Sequence, residues 1–293
     1  MNLNTLLSKL ISFKTISMTS NKELMYFIKD YLSKSNIKCE LLEGSKGQFN
    51  LYSRIGPTQN GGILLSGHTD VVPTEGQSWN SNPFKLISKK NRFYGRGTCD
   101  MKSFIAVSLD LVSKININNL KKPIHLIFSY DEEIGCVGIQ KIVPFIKKLN
   151  PKPMYCIVGE PTGMKVVNEH KGKKNFLVQF NGVEAHSSLI HNGVNSINFC
   201  TEFIEFLKDL QKLISTSSNN SKYNPPYSTI NVGLIKGGIA LNIIPKYCEI
   251  EFEIRDTPEI NIEKILKKIK NYLKLLEKKM KKINKKCFIT MKN

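Results

Sequence analysis

The sequence predicts an α/β fold in two parts: a doubly wound first domain over residues 1–171 and a ferredoxin-like β-α-β-β-α-β second domain over 172–293. Three observations carry this expectation. The chain's 293 residues reach the size at which a single hydrophobic core usually gives way to two. Up to about residue 170, apolar runs of strand length alternate with segments whose apolar residues recur at helical spacing. From about residue 172 a single strand–helix–strand–strand–helix–strand pattern follows.

In the first part, residues 4–13 and 21–35 carry apolar positions at helical spacing, while 37–43, 49–55, 63–67, 124–130 and 154–159 read as strands. Helices are expected at 101–114 and 138–149. Pro144 weakens the second and marks a candidate break, because proline lacks the N–H that a helix interior uses. In the second part, 174–182 alternates as a strand, 193–213 is an amphipathic helix and 214–227 is a polar loop with paired prolines. Strands are expected at 228–236 and 246–255, then a lysine-rich helix near 260–282 and a short strand at 287–291. Gly237-Gly238 would provide the bend between the middle strands.

Charge is the feature most open to misreading. With 43 Lys+Arg against 24 Asp+Glu the formal charge is +19, which invites an anionic polymer as partner. The excess is chiefly lysine, densest over 264–286, where Ile265, Ile269, Tyr272, Leu273 and Leu276 keep helical spacing. That is a packed helix with a solvated basic face. No aromatic platform or recognised nucleic-acid motif accompanies it, so no nucleic acid and no membrane are expected as partners. The seven cysteines are scattered without a CxxC pair, which reads as reduced thiols and a cytoplasmic location. Lys9 and Lys14 interrupt the apolar N-terminus, so neither a signal peptide nor a membrane span is expected.

The chemistry concentrates in residues 63–102, ILLSGHTDVVPTEGQSWNSNPFKLISKKNRFYGRGTCDMK. The apolar run Ile63-Leu64-Leu65 delivers His68 and Asp70 to a strand end, and Gly95-Arg96-Gly97 precedes Asp100. Farther on, Asp131-Glu132-Glu133 and Gly159-Glu160 each follow another apolar run. A lone HxD is more often a satisfied polar pair, and two adjacent glutamates are as often a solvated turn. Four such segments in order, each at the carboxyl end of an apolar run, point instead to the edge of an α/β sheet where ligands bind. One imidazole with several carboxylates there is what a hydrolytic two-metal site requires. On extended backbone Glu132 and Glu133 would point in opposite directions, one to a metal and one to substrate.

SGHTDVVP, YGRGTCDMK, SYDEEIGCVG, VGEPTGMKVVNEHKG, AHSS and GGIALNIIP together resemble the M20 metallopeptidase family, dinuclear zinc amidohydrolases, from residue 4 to about 258. Within it they are most similar to the branch that deacetylates N-acetyl-L-ornithine in arginine biosynthesis; the branch that desuccinylates succinyl-diaminopimelate is the alternative. The resemblance implies two Zn²⁺, with Co²⁺ able to substitute, held by His68, Asp100, Glu133 and Glu160, Asp100 bridging. It implies Asp70 orienting the His68 ring, and Glu132 as general base toward the attacking water and the leaving nitrogen. Residues 172–293 would be a lid and dimerisation domain in a homodimer, with His186 stabilising the oxyanion across the dimer. Asn242 and Arg255 would bind the carboxylate of the N-acyl amino acid. The family's last metal ligand is a histidine beyond the lid, whereas the histidines here are His68, His125, His170, His186 and His191. The expectation is therefore a catalytic domain incomplete in its C-terminal part. This chain alone would have impaired turnover and a lid that still dimerises.

Overall fold

A computed structural model of the chain describes residues 1–45, 47–58, 61–150, 152–217 and 220–293. It divides into two compact units, Met1–Val166 and Val167–Asn293.

The first unit opens with helices α1 (Leu3–Ser12) and α2 (Lys22–Ser33). Asn2 caps α1 by accepting the Thr5 N–H at 2.9 Å. Strands β1 (Cys39–Glu43), β2 (Phe49–Ile55) and β3 (Ile63–His68) follow, then the short pair β4 (Ile87–Lys89) and β5 (Arg92–Tyr94). Helix α3 (Lys102–Lys114), β6 (Ile124–Ser129), α4 (Val137–Lys148) and β7 (Tyr155–Val158) complete it. The main sheet has the order β1-β2-β6-β3-β7. β3 runs parallel to β6 and β7, whereas β1–β2 and β2–β6 are antiparallel. The sheet is thus mixed. Residues 44–48, which join β1 to β2, are far fewer than the dozen or so a parallel crossover needs.

Alternate residues of the central strands feed opposite faces. Leu65, Leu126 and Phe128 enter one cluster with α1, α2 and α3, while Leu64 and Ile127 join Tyr52 in another under Ile142 of α4. Helices therefore cover both faces, and β6 is buried along its whole length. Pro144 does not break α4: the helix runs through it. Pro144 lies on the exposed side of the helix. The β4–β5 hairpin was not anticipated. Its turn residues Lys90 and Asn91 are both left-handed, with φ of 51° and 58°, the backbone of a two-residue hairpin turn.

The second unit holds β8 (Lys174–Asn181), α5 (Ser196–Ser217), β9 (Thr229–Gly237), β10 (Tyr247–Arg255), α6 (Ile262–Ile283) and β11 (Phe288–Lys292). Its sheet order is β11-β8-β10-β9, antiparallel throughout. Phe176, Val178 and Phe180 of β8 and Ile250, Phe252 and Ile254 of β10 form one apolar face, packed against α5 and α6. α5 runs to Ser217, beyond the expected end at 213; residues 218 and 219 of the polar loop lie outside the described residues. On α6, Ile265, Leu266, Ile269, Leu273, Leu276 and Met280 are buried, and its lysines are exposed. Among the described residues no helix is long and apolar enough to cross a membrane.

Candidate metal centre

Because β3, β6 and β7 are parallel, their carboxyl ends fall along one edge of the sheet. His68 is the last residue of β3, Glu132 and Glu133 follow β6, and Glu160 follows β7. Asp100 stands just before α3. Gly159 permits a close approach: a Cβ there would overlap the Phe104 ring of α3.

His68 is 2% exposed, and its Nε2 faces three carboxylates. Nε2–H donates to Asp100 Oδ1 at 2.8 Å, with Glu160 Oε1 at 3.8 Å and Glu132 Oε2 at 3.9 Å. Two sets could each hold a cation, His68–Asp100–Glu133 and His68–Glu132–Glu160; within each, the donor atoms lie within 4.8 Å of one another. One imidazole nitrogen serves one ion. Among the described residues a second ion beside it would therefore rest on carboxylates alone.

Burial pulls the His68 pKa down, but hydrogen bonds and charge from Asp70 and Asp100 outweigh it and raise it to about 9. Burial and then the Asp100 charge raise Glu133; burial raises Glu160, with His68 opposing and Asp100 and Glu132 adding to the rise. A cation held by His68 Nε2 would take the place of the imidazolium proton that Asp100 now accepts. Crowded carboxylates around a single imidazole fit hard or borderline divalent cations.

The support behind the site differs in part from expectation. His68 Nδ1–H donates to the Asp70 main-chain oxygen at 2.9 Å, while the Asp70 carboxylate is 3.4 Å away. That carboxylate also accepts main-chain N–H groups, Glu132 at 3.0 Å and Glu133 at 3.3 Å. Burial works to raise the Asp70 pKa, yet bonds from His68 and the Glu132 N–H hold it below its usual range. The backbone does not stay extended through the pair: a turn begins at Glu132 and includes Glu133, with Gly135 and Cys136 N–H bonded back to the Glu132 carbonyl, each at 2.9 Å. Both carboxylates consequently reach the site. Cys136 Sγ–H donates to Glu132 Oε1 at 3.3 Å.

Sequence reasoning passed over Lys102, two residues after Asp100. It is fully buried and donates to the Leu10 and Phe13 carbonyls at the end of α1, at 3.1 and 2.7 Å. Burial lowers its pKa to about 7, with the Asp70 charge opposing. The positions expected to bind substrate lie in the second unit. His186 bridges to Ile243, and Ser187 N–H donates to the Asn242 carbonyl at 3.0 Å, so His186 and Asn242 are neighbours. Arg255, at the end of β10, pairs with Glu253 through Nε at 3.2 Å.

Residues 64–290 match the family model of peptidase family M20/M25/M40. A relative, acetylornithine deacetylase of Pasteurella multocida, is 36% identical over 245 residues, covering 83% of this chain and 63% of its own length. The chain thus spans under two thirds of that relative. Among solved structures, the M20 metallo-carboxypeptidase Sso-CP2 of Sulfolobus solfataricus aligns with a TM-score of 0.70 at 22% identity, over 99% of this chain and 78% of that one. Bacillus subtilis YXEP, described as a dinuclear metal-binding peptidase, aligns with a TM-score of 0.59 at 17% identity, over 99% and 73%.

Proposed function

Since the chain belongs to peptidase family M20/M25/M40, we propose that it is a metal-dependent amidohydrolase that removes acetate from N-acetyl-L-ornithine. His68, Asp100, Glu133 and Glu160 would hold two zinc ions, which cobalt can replace. The observation that carries this reading is one nearly buried imidazole nitrogen facing Asp100, Glu132 and Glu160 within 4 Å. The choice of acetate and ornithine is supported by relatives of that name at 33–36% identity.

When bound, the metals supply Lewis-acid polarisation of the acyl carbonyl and a water nucleophile at neutral pH. The chain's own residues do the rest. Glu132 takes the proton of the attacking water and returns it to the departing α-amine. His186, from a second copy, donates to the developing oxyanion. Arg255 and Asn242 hold the substrate carboxylate, for which a planar guanidinium fork is suited. The test is acetate release by residues 1–293, alone and joined to the remaining segment of a relative, with zinc added. Succinate release from N-succinyl-diaminopimelate is measured beside it. Acetate release by either form supports the proposal; succinate release alone would reassign the acyl group, and no release by metal-loaded protein of either form would overturn hydrolysis.

Metal uptake should be visible as proton release. His68, with a pKa raised to about 9, is almost wholly protonated at pH 7, and its nitrogen must lose that proton to become a ligand. Titration calorimetry with zinc at pH 7 in buffers of different ionisation enthalpy should give about one proton from His68, plus any from Glu133 and Glu160. Uptake without proton release would mean that His68 is not a ligand.

The second unit is proposed to pair with another copy. Ile190, Ile239 and Leu241 line one concave surface and are all more than half exposed, Leu241 completely, and an apolar surface of that kind marks an interface. Sedimentation of the wild type should give a dimer and of Leu241→Asp a larger monomer fraction. A wild type monomeric at 100 µM (about a hundredfold above an ordinary micromolar Kd) would refute the pairing.

A further inference from the structure

We propose that Ser17 and Asp131 are positioning residues that together fix the aim of Glu132 and Glu133. Ser17 acts through the Asp70 carboxylate, and Asp131 through the left-handed turn of its own backbone. The proposal rests on the metal-dependent reading above for what that aim accomplishes, though the clamp itself is built without any ion.

The segment from Thr15 to Asn21 runs behind the candidate centre as a strap. It is tied to the residues after β3 by main-chain bonds, Val71 N–H to the Thr15 carbonyl at 2.9 Å and Ser17 N–H to the Val71 carbonyl at 3.2 Å. Thr15 Oγ1–H adds a bond to the Thr69 carbonyl, and Asn21 Nδ2–H one to Thr69 Oγ1 at 3.0 Å. Thr15, Asn21 and Thr69 are each at most 4% exposed, so both ends of the strap are anchored in the interior, while Met18, Thr19 and Ser20 between them are exposed.

From this fixture two carboxylates reach the turn that bears the glutamates. Asp70 takes Ser17 Oγ–H at 2.8 Å and the Glu133 N–H at 3.3 Å on one oxygen, and the Glu132 N–H at 3.0 Å on the other. Asp131 takes the Met18 N–H at 2.6 Å on one oxygen and Gln48 Nε2–H at 2.7 Å on the other. Asp131 is only 5% exposed and has φ of +50°, a conformation disfavoured for a residue with a Cβ. Its backbone direction sets where Glu132 and Glu133 begin. The buried bonds to Met18 and Gln48 hold it there, and strain of this kind persists only where its surroundings over-determine it. Neither Ser17 nor Asp131 belongs to the sets that could hold a cation. They act one step behind those sets, through Asp70 and through the main chain.

The experiment uses residues 1–293 in the variants Ser17→Ala, Ser17→Thr, Asp131→Asn, Gln48→Glu and Asp131→Asn/Gln48→Glu. Amide hydrogen exchange of the metal-free proteins reads the clamp whether or not the centre binds metal. The Glu132 and Glu133 amides should exchange about tenfold faster in Ser17→Ala and in Asp131→Asn, the size expected for losing a hydrogen bond to a charged group. Ser17→Thr should restore them. The double variant should recover most of the Asp131→Asn loss, since it exchanges donor and acceptor: the new side-chain amide at position 131 donates to the new carboxylate at position 48. Amides within β3 and β6 should be unchanged. Cobalt titration then reads the aim: the visible spectrum should differ from wild type in Asp131→Asn and return in the double variant. Unchanged exchange at Glu132 and Glu133 would overturn the proposal. So would an acceleration spread evenly over β3 and β6, which would make the strap a general stabiliser, or a double variant no better than Asp131→Asn. A wild type that takes up no cobalt would refute the metal reading alone, because the exchange result still decides the clamp.

Discussion

Replacing Asp100 by Ala should remove tight metal binding and, in any form of the protein active on N-acetyl-L-ornithine, lower turnover about 10³-fold or more. Asp100 Oδ1 makes the shortest approach to His68 Nε2, at 2.8 Å, and Asp100 belongs to the set with Glu133. Among the described residues its second oxygen has no hydrogen-bond partner, which leaves it to serve a neighbouring cation. Metal-ion polarisation supplies several kcal/mol of transition-state charge stabilisation, and each 1.4 kcal/mol is a factor of ten in rate. Losing Asp100 takes the nearest carboxylate from the His68–Asp100–Glu133 set and forfeits most of it. The variant should nonetheless fold, since the Asp100 side chain is 43% exposed and packs in no core cluster. Bound zinc, measured by elemental analysis after desalting, should fall together with turnover. A variant retaining its full metal content and its rate would remove Asp100 from the centre and leave, among the described residues, the His68–Glu132–Glu160 set.

Why the site was legible in the sequence, and where it was not, follows from the physics of parallel strands. β3 and β6 are largely buried and so read as mostly apolar segments, and the charged or ligating residues at their carboxyl ends stand out: His68 closing the first, Asp131-Glu132-Glu133 after the second. The sheet's parallel pairing then brings those ends together. His125 lacks that signal. It lies within β6, is fully buried and bonds Tyr52 Oη at 2.8 Å, an ordinary core histidine. Long-range contacts were not legible. Nothing local marks Asp131 as left-handed; that depends on Met18 and Gln48, 113 and 83 residues away. For the same reason the extended backbone expected at Glu132-Glu133 gave way to a turn fixed by Asp70. The antiparallel β1–β2 edge followed from a short connection that the strand pattern alone did not weigh.

Glu132→Gln is the substitution that separates a base from a ligand. Both adjacent glutamates reach the centre, and Glu132 Oε2 lies 3.9 Å from His68 Nε2, close enough to join a cation set. Proximity therefore leaves its role open between two chemistries, and the amide distinguishes them. Glutamine keeps the shape of the side chain and one carbonyl acceptor but cannot take a proton from water. If Glu132 is the base, the variant should keep its zinc and its KM while kcat falls by about 10²–10⁴, the usual contribution of general acid–base catalysis. If Glu132 is a ligand, zinc content should fall with kcat, because a neutral amide is a poor replacement for an anionic oxygen. Glu133→Gln supplies the control in the other direction: as a proposed ligand it should lose metal first and activity as a consequence, with added zinc restoring part of the rate. Excess zinc should restore nothing in Glu132→Gln. Recovery of Glu132→Gln by metal, together with no recovery of Glu133→Gln, would exchange the two roles.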